Sequence, residues 1–382
     1  MLEPETLRPH YARFLSADRV LLTGHSHQAW PDVARDAVLE AWDDAAAHVD
    51  DKWGHASRAA DDVRASVARW IRADADEIAL ASNTHELLTR FLSAVDLRAR
   101  PHIVTTRGEF HSMHRQLSRL VEEGLEVSFV DPAPLSSLSE RLAAAVTEKT
   151  AALMVSTVLF ETSSVVPALD TAVKAARAVG AEVLLDAYHA FGVMPLSCGD
   201  YGEDVFVTGG GYKYAQWGEG VCFLRVPASS TLRPVYTGWF SDFASLADPR
   251  TGGVVRYGPR PADRFAGSTY DPTSHYRARA VSRFFDAHGM DLPALRALSL
   301  RQTGRLISRF DALGLEVKSP RDPARRGGFV AIALEDAHAV STRLRERGVF
   351  TDARGAMLRF GPAPYVTDAE LDRAVETLED LL

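Results

Sequence analysis

The run Gly209-Gly210-Gly211-Tyr212-Lys213-Tyr214, followed by Gly218-Glu219-Gly220, sets a lysine between two tyrosines in a glycine-rich loop. It comes directly after a short β-rich run from Val205 to Thr208. A lysine withdrawn from solvent in this way has a lowered pKa, and its neutral amine can form a Schiff base with a carbonyl cofactor. The alternative is a surface loop whose lysine is simply charged. Lysine is scarce in this protein: Lys52, Lys149, Lys174, Lys213 and Lys318 are the five among 43 basic residues, so one in an unusual context stands out. No Ser or Thr follows Lys213 as a phosphate loop requires, and the glycines do not open a helix as in a dinucleotide fingerprint.

Upstream, Val183-Leu184-Leu185-Asp186-Ala187-Tyr188-His189 ends an apolar run in a carboxylate. Open α/β sheets bind ligands at the carboxyl ends of their strands, and His189 can return to the same place. Alone, Asp-x-x-His could equally be a helix cap with an incidental histidine. Placed 27 residues before Lys213, it becomes more specific. A buried carboxylate there could hold a pyridine nitrogen protonated, as an electron-accepting ring requires. Ser82-Asn83-Thr84, ahead of a helical stretch, offers hydroxyl, amide and helix N-terminal N–H groups to a phosphate, although an ordinary cap would look the same.

The elements that must carry these residues follow from periodicity. Residues 32–50 and 56–72 repeat apolar positions at helical spacing, and 84–97 reads as a further helix. Short β-rich runs at 102–106, 125–130, 151–158, 182–186 and 204–208 then alternate with helical stretches at 112–123, 136–146 and 168–179. Such alternation predicts an α/β fold, a mostly parallel sheet covered by helices on both faces. Residues 228–270, richer in Gly, Pro, Asp and Arg, read as loops bordering a site. Helices at 274–288 and 293–312, strand-like runs near 328–334 and 356–360, and a closing helix at 367–382 predict a smaller α+β domain. The expected division is an N-terminal arm and helix (1–50) packing with the small domain, a large domain (51–270) and a small C-terminal domain (271–382). No internal repeat or low-complexity tract is present.

With 382 residues, 46% hydrophobic and 25% charged, the protein is long enough for a sizeable core and lacks the composition of a disordered one. The net charge of −8 argues against a general nucleic-acid-binding surface. The N-terminal MLEPETLRPHYARF has no apolar core of signal-peptide length, and no run approaches the ~20 apolar residues of a membrane helix. Two cysteines, Cys198 and Cys222, supply no zinc or disulfide framework. A cytoplasmic protein with no membrane or nucleic-acid partner is expected.

Taken in order, these residues resemble the fold type I, class V family of pyridoxal 5'-phosphate (PLP) enzymes, and within it the kynureninase branch. The resemblance covers nearly the whole chain. Leu22-Thr23-Gly24-His25-Ser26-His27 is similar to the branch's LxGNSLG segment, which marks His25 and Ser26 as substrate-binding candidates. Thr84 falls on its phosphate-loop threonine, beside Asn83, and Phe110 on the aromatic that stacks over the cofactor ring. Asp186 and His189 match its Asp-x-x-His, and Tyr212-Lys213-Tyr214 matches the YKY whose lysine holds PLP. Gly238-Trp239-Phe240 resembles an element whose tryptophan reaches the phosphate. Gly267-Ser268-Thr269 resembles a loop reaching it from the neighbouring subunit. Leu358-Arg359-Phe360-Gly361-Pro362 resembles the segment whose arginine grips the substrate α-carboxylate, with Arg354 the competing candidate. Trp53-Gly54-His55 faintly resembles a Gly-His that approaches the substrate ring.

The resemblance implies a homodimeric PLP enzyme, with active sites at the subunit interface, that acts on an α-amino acid. It also implies a hydrolase, cleaving a C–C bond in the side chain of its substrate through a Schiff base on Lys213. An aminotransferase or β-lyase on the same scaffold is the alternative. Two departures bear on the substrate: Met113 stands where the branch carries an aspartate, three residues after the stacking aromatic, and His25 replaces an asparagine. L-kynurenine itself is therefore expected to be a poor substrate, with another β-substituted or γ-keto amino acid preferred. Two other readings are less economical. A metal-dependent hydrolase built on His25, His27, His111 and His114 would leave Lys213 and Arg359 without a role, so no metal is expected. A binding protein without turnover would not need the intact lysine. A cysteine desulfurase is excluded, because neither cysteine lies in the later active-site loop where that branch carries its own.

Overall fold

The computed structural model describes residues 2–15, 18–249 and 252–382. Among these, seven strands form one large sheet in the spatial order Ile78–Ala81, Cys222–Arg225, Phe206–Gly210, Glu182–Asp186, Thr150–Ser156, His102–Thr106 and Glu126–Val130. The last five are mutually parallel. Thr150–Ser156 and His102–Thr106 are buried along their whole length, as strands covered on both faces must be, and Ala151 to Val155 in the first accordingly reads as a continuous rather than alternating apolar run. Helices Thr84–Ala94, His111–Glu122, Leu138–Ala145 and Leu169–Ala178 supply the crossovers. Register aligns the strand ends: Ser156 lies opposite Asp186, and Asp186 opposite Thr208.

The antiparallel edge, Ile78–Ala81 with Cys222–Arg225, is not apparent from periodicity. Both strands are four residues long, and the second ends in Arg225, a charge that reads as a loop. In the fold Arg225 is buried against Glu77, with Nε–Oε2 and Nη2–Oε1 distances of 2.9 and 3.0 Å. A second difference concerns the glycine run. The strand expected to stop at Thr208 continues through Gly209 and Gly210. A Cβ on Gly209 would meet the Phe223 ring at 2.9 Å, and one on Gly210 would overlap the Tyr188 hydroxyl. These two glycines therefore serve close packing inside the sheet, not loop flexibility.

Toward the C-terminus, helices Thr273–Ala287 and Leu292–Ala312 lead to an antiparallel sheet, Asp352–Arg354, Met357–Phe360 and Val330–Ala333, with helices Ala337–Glu346 and Asp368–Glu379. The strand Asp352–Arg354 and the helix Ala337–Glu346 are additions to the sequence expectation. The last helix begins at a capping box in which Thr367 and Glu370 satisfy each other's backbone N–H groups. In the N-terminal arm, Val20–Leu21 pairs in parallel with Val349–Phe350, and Gly24 N–H donates to the Gly361 carbonyl (2.8 Å). Helix Val33–His48 packs against Thr273–Ala287 and Lys52–Ile71. Residues 228–249 and 252–270 are loops with short turns at Trp239–Ser245 and Pro261–Phe265. No helix among the described residues is long and apolar enough to cross a membrane.

Candidate active site

A cavity of about 280 Å³ opens at the carboxyl ends of the parallel strands, lined by Asn83, Thr84, Phe110, Asp186, His189 and Lys213 among others. These six come from four separate stretches of sequence, each delivered by a strand end or a helix start. Asn83 caps the helix Thr84–Ala94 by accepting from Glu86 N–H at 2.9 Å. Thr84 is buried at the first turn, and its hydroxyl has no hydrogen-bond partner. Phe110 precedes the helix His111–Glu122.

The Lys213 ammonium nitrogen is buried. It lies 2.7 Å from His189 Nε2, 4.6 Å from the centre of the Tyr188 ring and 5.0 Å from that of Phe110. Burial lowers its pKa to about 7; Asp186 pulls it up and Arg359 pushes it further down. Burial likewise holds His189 well below its usual value, with the Lys213 charge adding to the effect, so the imidazole is neutral. Its Nδ1 has no partner. Asp186 accepts from Tyr188 N–H at 2.8 Å, and burial raises its pKa while that bond and the lysine oppose the rise.

Beside this cavity lies a polar network. Arg359 forks onto Asp352 through Nε and Nη2, at 2.9 and 2.6 Å, and its Nη1 donates to the Phe160 carbonyl. His25 Nε2 contacts the same carboxylate at 2.8 Å, and the imidazole stacks on Phe329 with centroids 4.5 Å apart. The fork that the sequence reading assigns to a substrate carboxylate thus rests on Asp352 in this structure. Arg354, with Nη2 3.8 Å from Asp352, converges on it from the same strand. Ser26 donates to the Thr23 carbonyl at 3.0 Å and does not line the cavity.

The other expected residues divide between this cavity and its surroundings. Ser268 and Thr269 line a second cavity of about 480 Å³, which meets the first at Ser82 and Gly220. Trp239 is 42% exposed and stacks on Phe240 at 4.2 Å; it lines neither cavity. Tyr212 lines the first, its ring 5.2 Å from that of Tyr188. Met113 is buried in the core, with Thr105 Oγ1 3.9 Å from its sulfur, so no carboxylate occupies that position. His55 pairs with Asp44 and does not line the cavity of Lys213. The metal alternative finds no support among the described residues, since His25, His27, His111 and His114 do not gather as ligands.

Sequence reasoning missed four residues. Tyr188 stands between Asp186 and His189, but its type alone did not mark it as a wall of the site. Cys222 lines the cavity with its sulfur 3.5 Å from the Tyr188 hydroxyl, and burial raises its pKa, keeping the thiol protonated. Glu109 is buried; it accepts from Thr106 Oγ1 at 2.6 Å and from Ser156 N and Oγ at 3.0 and 2.5 Å. Asp352 needed the hairpin to be seen. A polar residue at the end of an apolar strand, as at Ser156, was the available signal for this group.

Comparison with known proteins agrees with this architecture. The family profile "Kynureninase C-terminal domain" matches residues 295–378. A kynureninase of Xanthomonas campestris pv. campestris (strain B100) is 30% identical over 344 residues, 83% of this chain and 79% of that protein. One of Salinispora tropica is 34% identical over 218 residues, 53% of this chain but about half (49%) of that protein. Among solved structures, a C-DES mutant with glycine covalently linked to its PLP cofactor superposes with a TM-score of 0.85 at 17% identity, covering 98% of this chain and 99% of that one. The apo cysteine desulfurase from Thermococcus onnurineus NA1 gives 0.81 at 18%, covering 100% and 98%. The protein is a class V, fold type I enzyme, of the kind that depends on PLP. Within that class the chain belongs to the kynureninase family.

Proposed function

We propose that this enzyme hydrolyses the Cβ–Cγ bond of an α-amino acid carrying a γ-carbonyl, with PLP held in the cavity at Lys213. The observation that carries the reading is the buried Lys213 amine, 2.7 Å from a neutral His189 and between the Phe110 and Tyr188 rings. The residues fit the cofactor. The unpartnered Thr84 hydroxyl and the N-terminus of its helix suit a phosphate, the two aromatic walls suit a flat ring, and Asp186 suits its protonated nitrogen. When bound, PLP supplies an electron sink that labilises bonds at Cα.

The protein's own groups supply the rest. An amine with a pKa near 7 is free to bind a carbonyl and to move a proton at Cα. His189 Nε2 accepts a hydrogen bond from Lys213 and orients it. Arg359, buried and oriented by Asp352, presents its remaining N–H groups to an α-carboxylate. Cleavage adds water across the bond: hydroxide joins the acyl carbon, and a proton joins Cβ.

L-kynurenine is proposed to be a poor substrate, because Met113 puts a thioether in the core where the family carries a carboxylate. A cytoplasmic homodimer is proposed as the working form. In its support, Val235 (85% exposed), Tyr236, Phe243, Leu246 and Val254 (81% exposed) are large apolar side chains left at the surface of one loop region. In such a dimer Ser268 and Thr269 would serve the partner's phosphate site. The test is a panel of γ-keto and β-substituted amino acids, read by cofactor absorbance and product analysis, with L-kynurenine assayed for anthranilate. Acyl-acid products with slow anthranilate release fit the proposal. Amino-group transfer or β-elimination as the main reaction would overturn it, and rapid anthranilate release would overturn its substrate clause.

A further inference from the structure

Away from the cavity, the joint between the helices Val33–His48 and Lys52–Ile71 gathers three side chains with metal-binding chemistry. Asp44 and His48 are four residues apart, so they share one face of the first helix. The helix ends at His48, the backbone turns through Val49, and His55 follows in the first turn of the second helix. His55 Nδ1 lies 3.2 Å from Asp44 Oδ2, and His48 Nε2 lies 3.9 Å from Asp44 Oδ1. One donor atom from each of the three lies within 4.8 Å of the others, and the imidazoles stack with centroids 4.4 Å apart. We propose that Asp44, His48 and His55 bind one divalent transition-metal ion, zinc(II) by preference.

Tetrahedral zinc with bonds of about 2.0–2.2 Å sets its ligand atoms roughly 3.3–3.6 Å apart, so side-chain rotations suffice to close the site. Two imidazoles and one carboxylate favour zinc or its neighbours over magnesium or calcium, which take oxygen ligands. Two further features support a built site. The Tyr276 hydroxyl, from the helix Thr273–Ala287, donates to Asp44 Oδ2 at 2.7 Å and fixes the carboxylate, as outer residues do at metal centres. Val49, immediately after His48, holds φ at +46° although it is β-branched and 64% exposed, so its own packing does not explain the strained turn that brings the histidines together. The three ligands are partly exposed, which admits an ion and leaves a fourth position for water. Bound metal would tie the two helices together, with Tyr276 joining the third. None of the three residues lines the cavity of Lys213, so the site stands independently of the proposed reaction.

The test uses tag-free, chelator-washed holoenzyme titrated with zinc chloride alone against a chromophoric competitor. The expected result is one zinc per protomer at micromolar affinity or tighter. In His48→Ala and His55→Ala that class should be lost, and in Tyr276→Phe it should be about tenfold weaker. Cofactor absorbance establishes that each variant is folded. As a second reading, zinc should raise the thermal midpoint of the parent protein and leave that of His55→Ala in place. A parent protein without saturable binding below 100-micromolar zinc would overturn the proposal, leaving a His–Asp–His cluster held by Tyr276. So would stoichiometry and affinity unchanged in both histidine variants.

Discussion

The His25–Asp352–Arg359 network makes a sharp prediction about pH. His25 is fully buried, and its pKa is lowered from 6.5 to about 4, first by burial and then by the Arg359 charge; Asp352 opposes the shift but does not overcome it. The folded protein therefore binds a proton at His25 less readily than the unfolded one. The stabilisation linked to this group is full above pH 6.5 and declines as pH falls from 6.5 toward 4, because the unfolded state takes up the proton first. At 1.36 kcal/mol per pKa unit, a displacement of this size amounts to about 3 kcal/mol at pH 4. His25→Gln keeps a donor for Asp352 but cannot titrate. Urea unfolding of the parent and variant holoenzymes should be measured at half-unit steps from pH 7.5 to 4.5. The parent should lose stability more steeply, and the difference between the two curves should grow only below pH 6.5. Parallel curves across that range would refute the reasoning.

Three further outcomes follow from the same geometry. Asp186→Asn should retain part of the cofactor but lose nearly all turnover, and unchanged turnover would place the ring nitrogen's partner elsewhere. Arg359→Lys should weaken amino-acid binding by about 1.5–3 kcal/mol, roughly 10- to 160-fold, because an ammonium cannot both replace the fork on Asp352 and present further N–H groups to a carboxylate, with the bound cofactor's spectrum unchanged. Loss of the cofactor itself would make Arg359 structural. Glu109 has the opposite linkage to His25. Burial raises its pKa to about 7, so the folded state prefers the protonated form and stability declines as pH rises from 4.5 through 7. Glu109→Gln should therefore gain on the parent in urea midpoint at pH 8 and not at pH 5; an equal effect at both would contradict the linkage.

The parts of the site written as local runs were legible in the sequence. Asp186 to His189 and Tyr212-Lys213-Tyr214 each sit within one strand end and its following turn, so type and spacing placed them together. The alternating pattern likewise gave the five parallel strands within a residue or two. What escaped needed tertiary pairing. Asp352 meets Arg359 only because two short strands form a hairpin, and it meets His25 across 327 positions of sequence. Ile78–Ala81 and Cys222–Arg225 are too short for periodicity to register, and the Arg225 charge is masked by a buried partner. Asp44 and His48 share one helix face without any sequence feature that marks them, and His55 joins them only through the strained turn at Val49.

The most direct measurement of the central claim is chemical. Purified holoenzyme reduced with borohydride, digested and mapped by mass spectrometry should carry a pyridoxyl group on the peptide containing Lys213. The four peptides bearing Lys52, Lys149, Lys174 and Lys318 should remain unmodified. A pyridoxyl group on any of those four, or none on Lys213 in protein that shows the cofactor's visible absorbance, would contradict the account.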